Sequence, residues 1–385
     1  MNELFAVDDA TCRRLAAEVG SPAFVYSRAS ARRSWLRLRE AMPPRVRIAY
    51  AVKANPHPAL LETFAALGSS FDCASIGELD RVAALGLPEG RIFFAGPGKR
   101  DRELARAVEL NARVQAEGFE DLERLDRLAR GPLSVNLRVH PRAGIEERNR
   151  IIGGTGPSAF GIDEEELPAI LSRARSLERL AIRGLHVFAA SNERDVERLL
   201  ATHRAVFALG KGLQEALGSP LEQIDLGGGL GIPYDAQESP LDVAALGRGL
   251  ARLLDENRWF LGELVIEPGR FLAGPAGVYL ARVIRTKESR GTRFAILEGG
   301  INHLMRPHLT GQAFPVRVAG REGGDLAYTL AGPLCTSLDR LGEHHLPPLQ
   351  TGDLLVFGCA GAYGFSEGMT HFLSHPVPPE IVLSD

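Results

Sequence analysis

One lysine closes an apolar run in Arg47-Ile48-Ala49-Tyr50-Ala51-Val52-Lys53-Ala54-Asn55-Pro56. Residues 46 to 52 read as a buried strand bounded by Pro44 and Pro56. An amine presented from a rigid strand end and partly withdrawn from water can form a Schiff base with a carbonyl. Taken locally, a solvated lysine ending a strand is the commoner case, so the weight falls on two other stretches. Asp225-Leu226-Gly227-Gly228-Gly229-Leu230-Gly231 follows a strand-like run, and backbone without side chains can point its N–H groups at a phosphate. Its place in the chain does not fit a dinucleotide fingerprint. Glu267-Pro268-Gly269-Arg270 fixes a carboxylate at a turn, and a buried carboxylate needs a cationic or protonated partner. Arg270 alone could be that partner. Beside a reactive lysine and a phosphate cradle, a protonated pyridine nitrogen fits as well, and the cofactor such a set suggests is pyridoxal phosphate.

Further candidates lie in glycine-flanked turns: Cys335 and Asp339 in Gly332-Pro333-Leu334-Cys335-Thr336-Ser337-Leu338-Asp339, and Tyr363 in Gly361-Ala362-Tyr363-Gly364. A lone cysteine or tyrosine is usually packing; a position in a turn favours function. His186 and Phe188, on or just after a strand, could equally be core.

The elements that must carry these residues alternate short apolar runs with longer amphipathic ones between about Ala23 and Val265. Strands are expected at Arg47–Lys53, Phe71–Ala74, Arg91–Ala95, Ala112–Ala116, Ser134–Val139, Ile182–Val187, Gln223–Leu226 and Glu263–Ile266, with helices such as Ser30–Met42, Ile76–Leu85 and Asp195–Leu217. Eight parallel strands in this span suit a closed (β/α)8 barrel, whose active site lies at the C-terminal strand ends. Lys53, Ser75, Gly96 to Gly98, Arg138, His186 to Ser191 and Gly227 to Gly229 fall there. After Glu267 the texture turns to Gly, Val and Thr, as in Val278–Lys287, Arg293–Glu298, Asp353–Phe357 and Ile381–Leu383, which reads as an antiparallel β domain. The expected division is a segment at 1–25 packing on the β domain, a barrel at 26–266 and the β domain at 267–385. Residues Gly144 to Pro157, rich in Arg and Gly, have the composition of a lid.

Composition narrows the class. The chain of 385 residues is 45% hydrophobic and 24% charged, with a formal charge of -3, which argues against a nucleic-acid partner. No apolar run nears the roughly 20 residues that span a bilayer, and no signal-type start is seen, so a cytoplasmic protein without a membrane partner is expected. Cys12, Cys73, Cys335 and Cys359 are scattered with no Cys-x-x-Cys pair, which fits reduced thiols and no metal site.

The motifs Tyr-Ala-Val-Lys-Ala-Asn, Gly-Gly-Gly, Glu-Pro-Gly-Arg, Gly-Pro-Leu-Cys and Gly-Ala-Tyr, in this order from about Pro22 to Glu380, resemble the fold type III pyridoxal-phosphate decarboxylases. That group contains diaminopimelate, ornithine and arginine decarboxylases on an alanine racemase-like barrel. The resemblance implies that Lys53 is the Schiff-base lysine. It implies that Gly227, Gly228, Gly229, Ser191 and Tyr363 hold the phosphate, that Glu267 meets the pyridine nitrogen, and that Arg138, Phe188 and Gly269 lie at the cofactor. Arg270 and Arg306 would serve the phosphate or the substrate carboxylate, and Thr336 and Asp339 would face the substrate. Cys335 would protonate the α-carbon from a neighbouring subunit in a head-to-tail homodimer.

The departures bear on the substrate. Phe188 stands where these enzymes usually stack a histidine, and it cannot hydrogen-bond. Thr336 stands where diamine-forming members carry an acid, and a neutral hydroxyl pairs poorly with a desolvated ammonium. Ala159 replaces a frequent lysine and Leu373 a usual asparagine. The pattern is similar to the branch found in secondary-metabolite gene clusters, some of whose members decarboxylate an amino acid held on an acyl or peptidyl carrier protein. The expected activity is α-decarboxylation of an amino acid or amino-acid derivative, free or carrier-bound. The alternatives are a diaminopimelate- or ornithine-type decarboxylase, an amino-acid racemase, or a non-enzymatic cofactor-binding protein.

Overall fold

The computed structural model describes residues 4–142, 157–188 and 191–384. Contacts divide the chain into two units, one of residues 35–231 and 240–269, the other of residues 1–34, 232–239 and 270–385.

The first unit is the barrel. Its strands are β1 (Val46–Ala51), β2 (Ser70–Cys73), β3 (Ile92–Phe94), β4 (Arg113–Ala116), β5 (Leu133–His140), β6 (Leu180–His186), β7 (Gln223–Asp225) and β8 (Glu263–Ile266). All pair in parallel, in the order β4-β3-β2-β1-β8-β7-β6-β5, and the β4–β5 pairing of Gln115 with Asn136 closes the ring. The strands read as continuous apolar runs because a parallel sheet wrapped by helices is buried on both faces. Ala49, Phe93 and Val265 cluster in its fully buried core. The helices are fixed by local signals. Asp242 caps Val243–Glu256 by accepting the Ala245 N–H at 2.9 Å, and Leu246, Leu250 and Leu253 recur at helical spacing on its buried face. Asp195 caps Val196–Leu217, which ends at Gly218 in the left-handed region (φ 66°).

Toward its C-terminal end the barrel interior turns polar. Asn136 donates to Gln223 at 2.8 Å, and Gln115 donates to Asp225 at 3.2 Å. This pair of bonds demands a bare backbone opposite: a Cβ on Gly184 would stand 2.2 Å from Asn136 Oδ1 and 2.8 Å from the Gln223 carbonyl oxygen.

The second unit holds a mainly antiparallel sheet of eight strands. Its long strand Gly277–Ser289 pairs antiparallel with Ala23–Ser27, Thr292–Leu297 and Leu354–Phe357. Two pairings are parallel, Ala23–Ser27 with Glu380–Leu383 and Thr292–Leu297 with Leu326–Ala331. The strand at Ala23–Ser27 and the residues to Ser34 belong to this unit, so the chain enters the barrel later than position 26; residues 232–239, expected within the barrel, also belong here. The strands Val316–Val318, Leu326–Ala331 and Arg340–Leu346 are legible only in the structure. Among the described residues no helix is long and apolar enough to cross a membrane.

Two stability measurements follow. Gly184→Ala is expected to lower unfolding stability by about 1–3 kcal/mol, read as a fall in melting temperature. His203, buried in Val196–Leu217, has its pKa pushed by burial from 6.5 down to about 4. The unfolded chain therefore takes the proton first as pH falls, and the penalty, absent above pH 6.5, grows toward pH 4. At pH 5 it should amount to about 2 kcal/mol, and denaturant titrations at pH 7 and pH 5 should differ less in His203→Leu.

Candidate active site

Strand β1 stops at Ala51, and Lys53 sits in the one-turn 3-10 helix Val52–Ala54 rather than at the strand end. The turn is braced from both sides. Tyr50 donates its hydroxyl to the Asn55 carbonyl at 2.9 Å, and a Cβ on Gly269 would lie 2.8 Å from the Ala54 Cβ and 3.1 Å from that of Ala51. The missing side chain of Gly269, expected to serve the cofactor directly, is used to let its backbone pack beneath the lysine turn. Lys53 keeps 32% of its side chain exposed, and its Nζ lies 2.8 Å from Oδ2 of the fully buried Asp72 on β2. Burial raises the Asp72 pKa, as does the charge of Glu267, while Lys53 and His186 oppose the rise. Sequence reasoning missed Asp72; its only signal was one acid inside the apolar strand Ser-Phe-Asp-Cys.

Glu267 follows β8 and is 2% exposed. His186 Nε2, at the end of β6, lies 3.5 Å from Glu267 Oε2, yet neither carboxylate oxygen has a hydrogen-bond partner among the described residues. Burial alone would raise the Glu267 pKa, but His186 and Lys53 outweigh it and hold it at about 2. Asp225, at the end of β7, goes the other way: burial and the neighbouring Glu267 charge lift it well above the carboxylate range. The two buried acids are thus driven in opposite directions, Asp225 toward the protonated form and Glu267 toward the ionised one. Asp225 accepts the Gly227 N–H at 2.9 Å and the Gln115 amide at 3.2 Å. A buried carboxylate with two unused oxygens is the arrangement a protonated ring nitrogen would complete.

Next to it the chain turns through Gly227 (φ 68°) and Gly229 (φ 96°). A Cβ on Gly227 would meet the Val187 carbonyl oxygen at 2.7 Å, and one on Gly228 the Glu267 carbonyl oxygen at 2.6 Å. Only glycine fits this backbone. The Phe188 ring lies against Gly227 and Gly228, and Lys53 Nζ stands 5.8 Å from its centroid. Lysine, aromatic face, glycine turn and carboxylate thus surround one end of the barrel. Ser191 is half-buried just beyond, after Ala189 and Ala190, which lie outside the described residues.

Arg138 on β5 is buried, with Nη1 3.0 Å from Glu117 Oε1 and its guanidinium 4.9 Å from the Phe160 ring centroid. Glu117 also accepts the Gly96 N–H at 2.7 Å and the Gly161 N–H at 2.9 Å. Burial would raise its pKa, but Arg138 and Lys99 overcome this and lower it. This hub, unseen in the sequence, ties the Gly96 to Lys99 loop to Arg138. Of the expected lid, Gly144 to Pro157, residues 144–156 lie outside the described residues.

In the second unit Arg270 donates to the Tyr234 hydroxyl at 2.7 Å, and the guanidinium groups of Arg270 and Arg306 lie 5.1 and 4.3 Å from the Tyr363 ring centroid. Arg306 pairs with Glu367 at 2.6 Å. Tyr363 adopts φ 57° in a turn where Cβ atoms on Gly361 and Gly364 would strike the carbonyl oxygens of Ala273 and Ala360. Cys335 is exposed on its loop. Asp339 corrects an expectation: it is buried, and its two oxygens accept the N–H groups of Ile301 and Leu334, both at 2.8 Å. It shapes the Cys335 loop from within. Thr336, half-buried, accepts the Leu338 N–H at 3.3 Å.

Comparison with known proteins agrees with this chemistry. Residues 28–274 match the family model described as pyridoxal-dependent decarboxylase, pyridoxal binding domain. The chain is 32% identical to the L-glutamyl-BtrI acyl-carrier protein decarboxylase of Niallia circulans, over 98% of this chain and 92% of the relative. It is 35% identical to the diaminopimelate decarboxylase of Vibrio cholerae, over 91% and 85%. Among solved structures, the diaminopimelate decarboxylase of Helicobacter pylori complexed with L-lysine superimposes with a TM-score of 0.88 at 27% identity, covering 97% of this chain and 94% of that one. The cofactor that these residues fit is pyridoxal phosphate. Gly227→Ala, which drives a methyl group into the Val187 carbonyl and requires φ 68° of alanine, should weaken retention of pyridoxal phosphate by at least about tenfold, measured by equilibrium dialysis and visible absorbance.

Proposed function

This chain belongs to the pyridoxal-phosphate-dependent decarboxylases of the ornithine and diaminopimelate type, and on that premise we propose that it removes the α-carboxylate of an amino-acid derivative lacking a distal ammonium, presented on a carrier protein, within a biosynthetic pathway. The observation that carries the substrate class is the loop around Cys335. Asp339 spends both oxygens on backbone N–H groups, and Thr336 is neutral with its hydroxyl engaged by Leu338. That loop offers no free carboxylate to a second ammonium, whose desolvation would go uncompensated. The likeness to a carrier-linked glutamyl decarboxylase along 98% of the chain agrees with this reading.

Bound pyridoxal phosphate supplies a carbonyl that links covalently to an amine and a ring that accepts the electron pair left on the α-carbon. The protein's residues divide the remaining work. Lys53 offers its amine from the rigid Val52–Ala54 turn, with Asp72 as proton partner at 2.8 Å. Glu267, whose pKa His186 and Lys53 lower, would face the ring nitrogen and favour a proton there. The glycine turn brings backbone N–H dipoles toward the phosphate, and Phe188 supplies an apolar face for the ring. As the bond to the carboxylate breaks and carbon dioxide leaves, the α-carbon takes a proton from the Cys335 thiol of a second copy of this chain, and solvent returns it to sulfur. A thiol is acidic enough for this step.

Diaminopimelate decarboxylation is the rival, favoured by the 35% identity to the Vibrio cholerae enzyme. Carbon dioxide release from a glutamyl-carrier thioester, with none from free diaminopimelate, ornithine or lysine, is the expected result; release from free diaminopimelate would establish the rival instead. Lys53→Ala should abolish both turnover and covalent cofactor retention, whereas Cys335→Ala should keep the visible absorbance and lose about two orders of magnitude in rate.

A further inference from the structure

We propose that His186 is a positioning residue of this decarboxylase: its ring aims the Glu267 carboxylate at the cofactor's ring nitrogen, with Asp225 as the fixed group behind it. The proposal rests on pyridoxal phosphate being the ligand of this site.

Three observations support it. His186 and Glu267 both have side chains only 1% exposed, with Nε2 and Oε2 3.5 Å apart, too long for a closed hydrogen bond. Both ring nitrogens of His186 and both oxygens of Glu267 lack hydrogen-bond partners among the described residues, an arrangement too costly in a barrel interior to be mere packing. Finally, polar atoms of His186, Asp225 and Glu267 all lie within 4.8 Å of one another, while Asp225 is itself tied down by the Gly227 N–H and the Gln115 amide. The carboxylate therefore has an acid fixed on one side and an imidazole on the other. Asp225 is pinned at both oxygens, so the Glu267 carboxylate is set between a fixed acid and the His186 ring.

A histidine that acts through Glu267 has a signature that a core histidine lacks. Its loss should weaken cofactor binding and lower kcat with little change in KM, because its ring acts through Glu267. Shape and donor can be separated by substitution. His186→Phe keeps a ring and removes both nitrogens; His186→Gln keeps a donor long enough to reach Glu267; His186→Asn keeps a donor that falls short.

The experiment measures the dissociation constant of pyridoxal phosphate, the visible spectrum of the bound cofactor, and kcat and KM for the wild-type chain and the three variants. Expected are a loss of at least about tenfold in cofactor affinity and kcat for His186→Phe and His186→Asn, with an altered spectrum, and recovery to within about threefold in His186→Gln. Wild-type affinity and spectrum in His186→Phe or in His186→Asn would overturn the proposal. Equal losses in His186→Gln and His186→Asn would also overturn it, since packing alone would then be responsible. Should His186→Phe fail to fold, the Gln and Asn pair decides. A wild-type chain that bound no pyridoxal phosphate would remove the cofactor reading itself, an outcome distinct from any of these.

Discussion

The barrel's C-terminal end is governed by a shortage of positive charge. Asp72, Asp225 and Glu267 are buried carboxyl groups facing one lysine and one imidazole. Ionised carboxylates withdrawn from water without partners are too costly to keep, so the site distributes protons among them. Burial pushes Asp225 toward the neutral acid, His186 and Lys53 pull Glu267 toward the charged form, and Asp72 accepts a hydrogen bond from Lys53. Among these groups, Glu267 is left with both of its oxygens unpartnered. A ring carrying a proton on nitrogen would complete it, the role proposed above for this carboxylate.

That electrostatic arrangement depends on glycine. The turn at Gly227 to Gly229 passes within van der Waals reach of Val187, Phe188 and Glu267, and no Cβ fits on Gly227 or Gly228. Gly269 does the same for the turn that carries Lys53. Gly184 lets β6 approach the Asn136 and Gln223 pair in the barrel interior. These residues contribute little energy of their own. Their role is to let backbone come close enough that a short lysine turn and a carboxylate can share one end of a narrow barrel.

The Cys335 loop obeys a related logic by different means. One buried acid, Asp339, gathers the Ile301 and Leu334 amides, and side chains on Gly300 and Gly332 would collide with it. The loop is held from beneath, so that Cys335 is exposed while the nearest carboxylate is consumed internally. The loop thus contains an acid that is present in the sequence but engaged by its own backbone in the fold.

The sequence by itself determined the eight barrel strands, the lysine and glycine motifs, the Glu267 turn and through them the cofactor, because strand runs, turn glycines and a terminal lysine are local features whose signal lies within a few neighbouring residues. Only the tertiary structure decided what each acid at the barrel's end is paired with. Asp72, Glu117 and Asp225 come from three different strand ends, far apart in the chain, and a single acid in an apolar run does not announce its partner. The same holds for Asp339, read as a substrate contact until its two oxygens were found on backbone amides, and for the strand at Ala23–Ser27, which pairs with Gly277–Ser289 and Glu380–Leu383 rather than entering the barrel. A carboxyl group's role is set by what surrounds it in three dimensions, since burial and neighbouring charge together decide whether it is an ion, an acid or a brace.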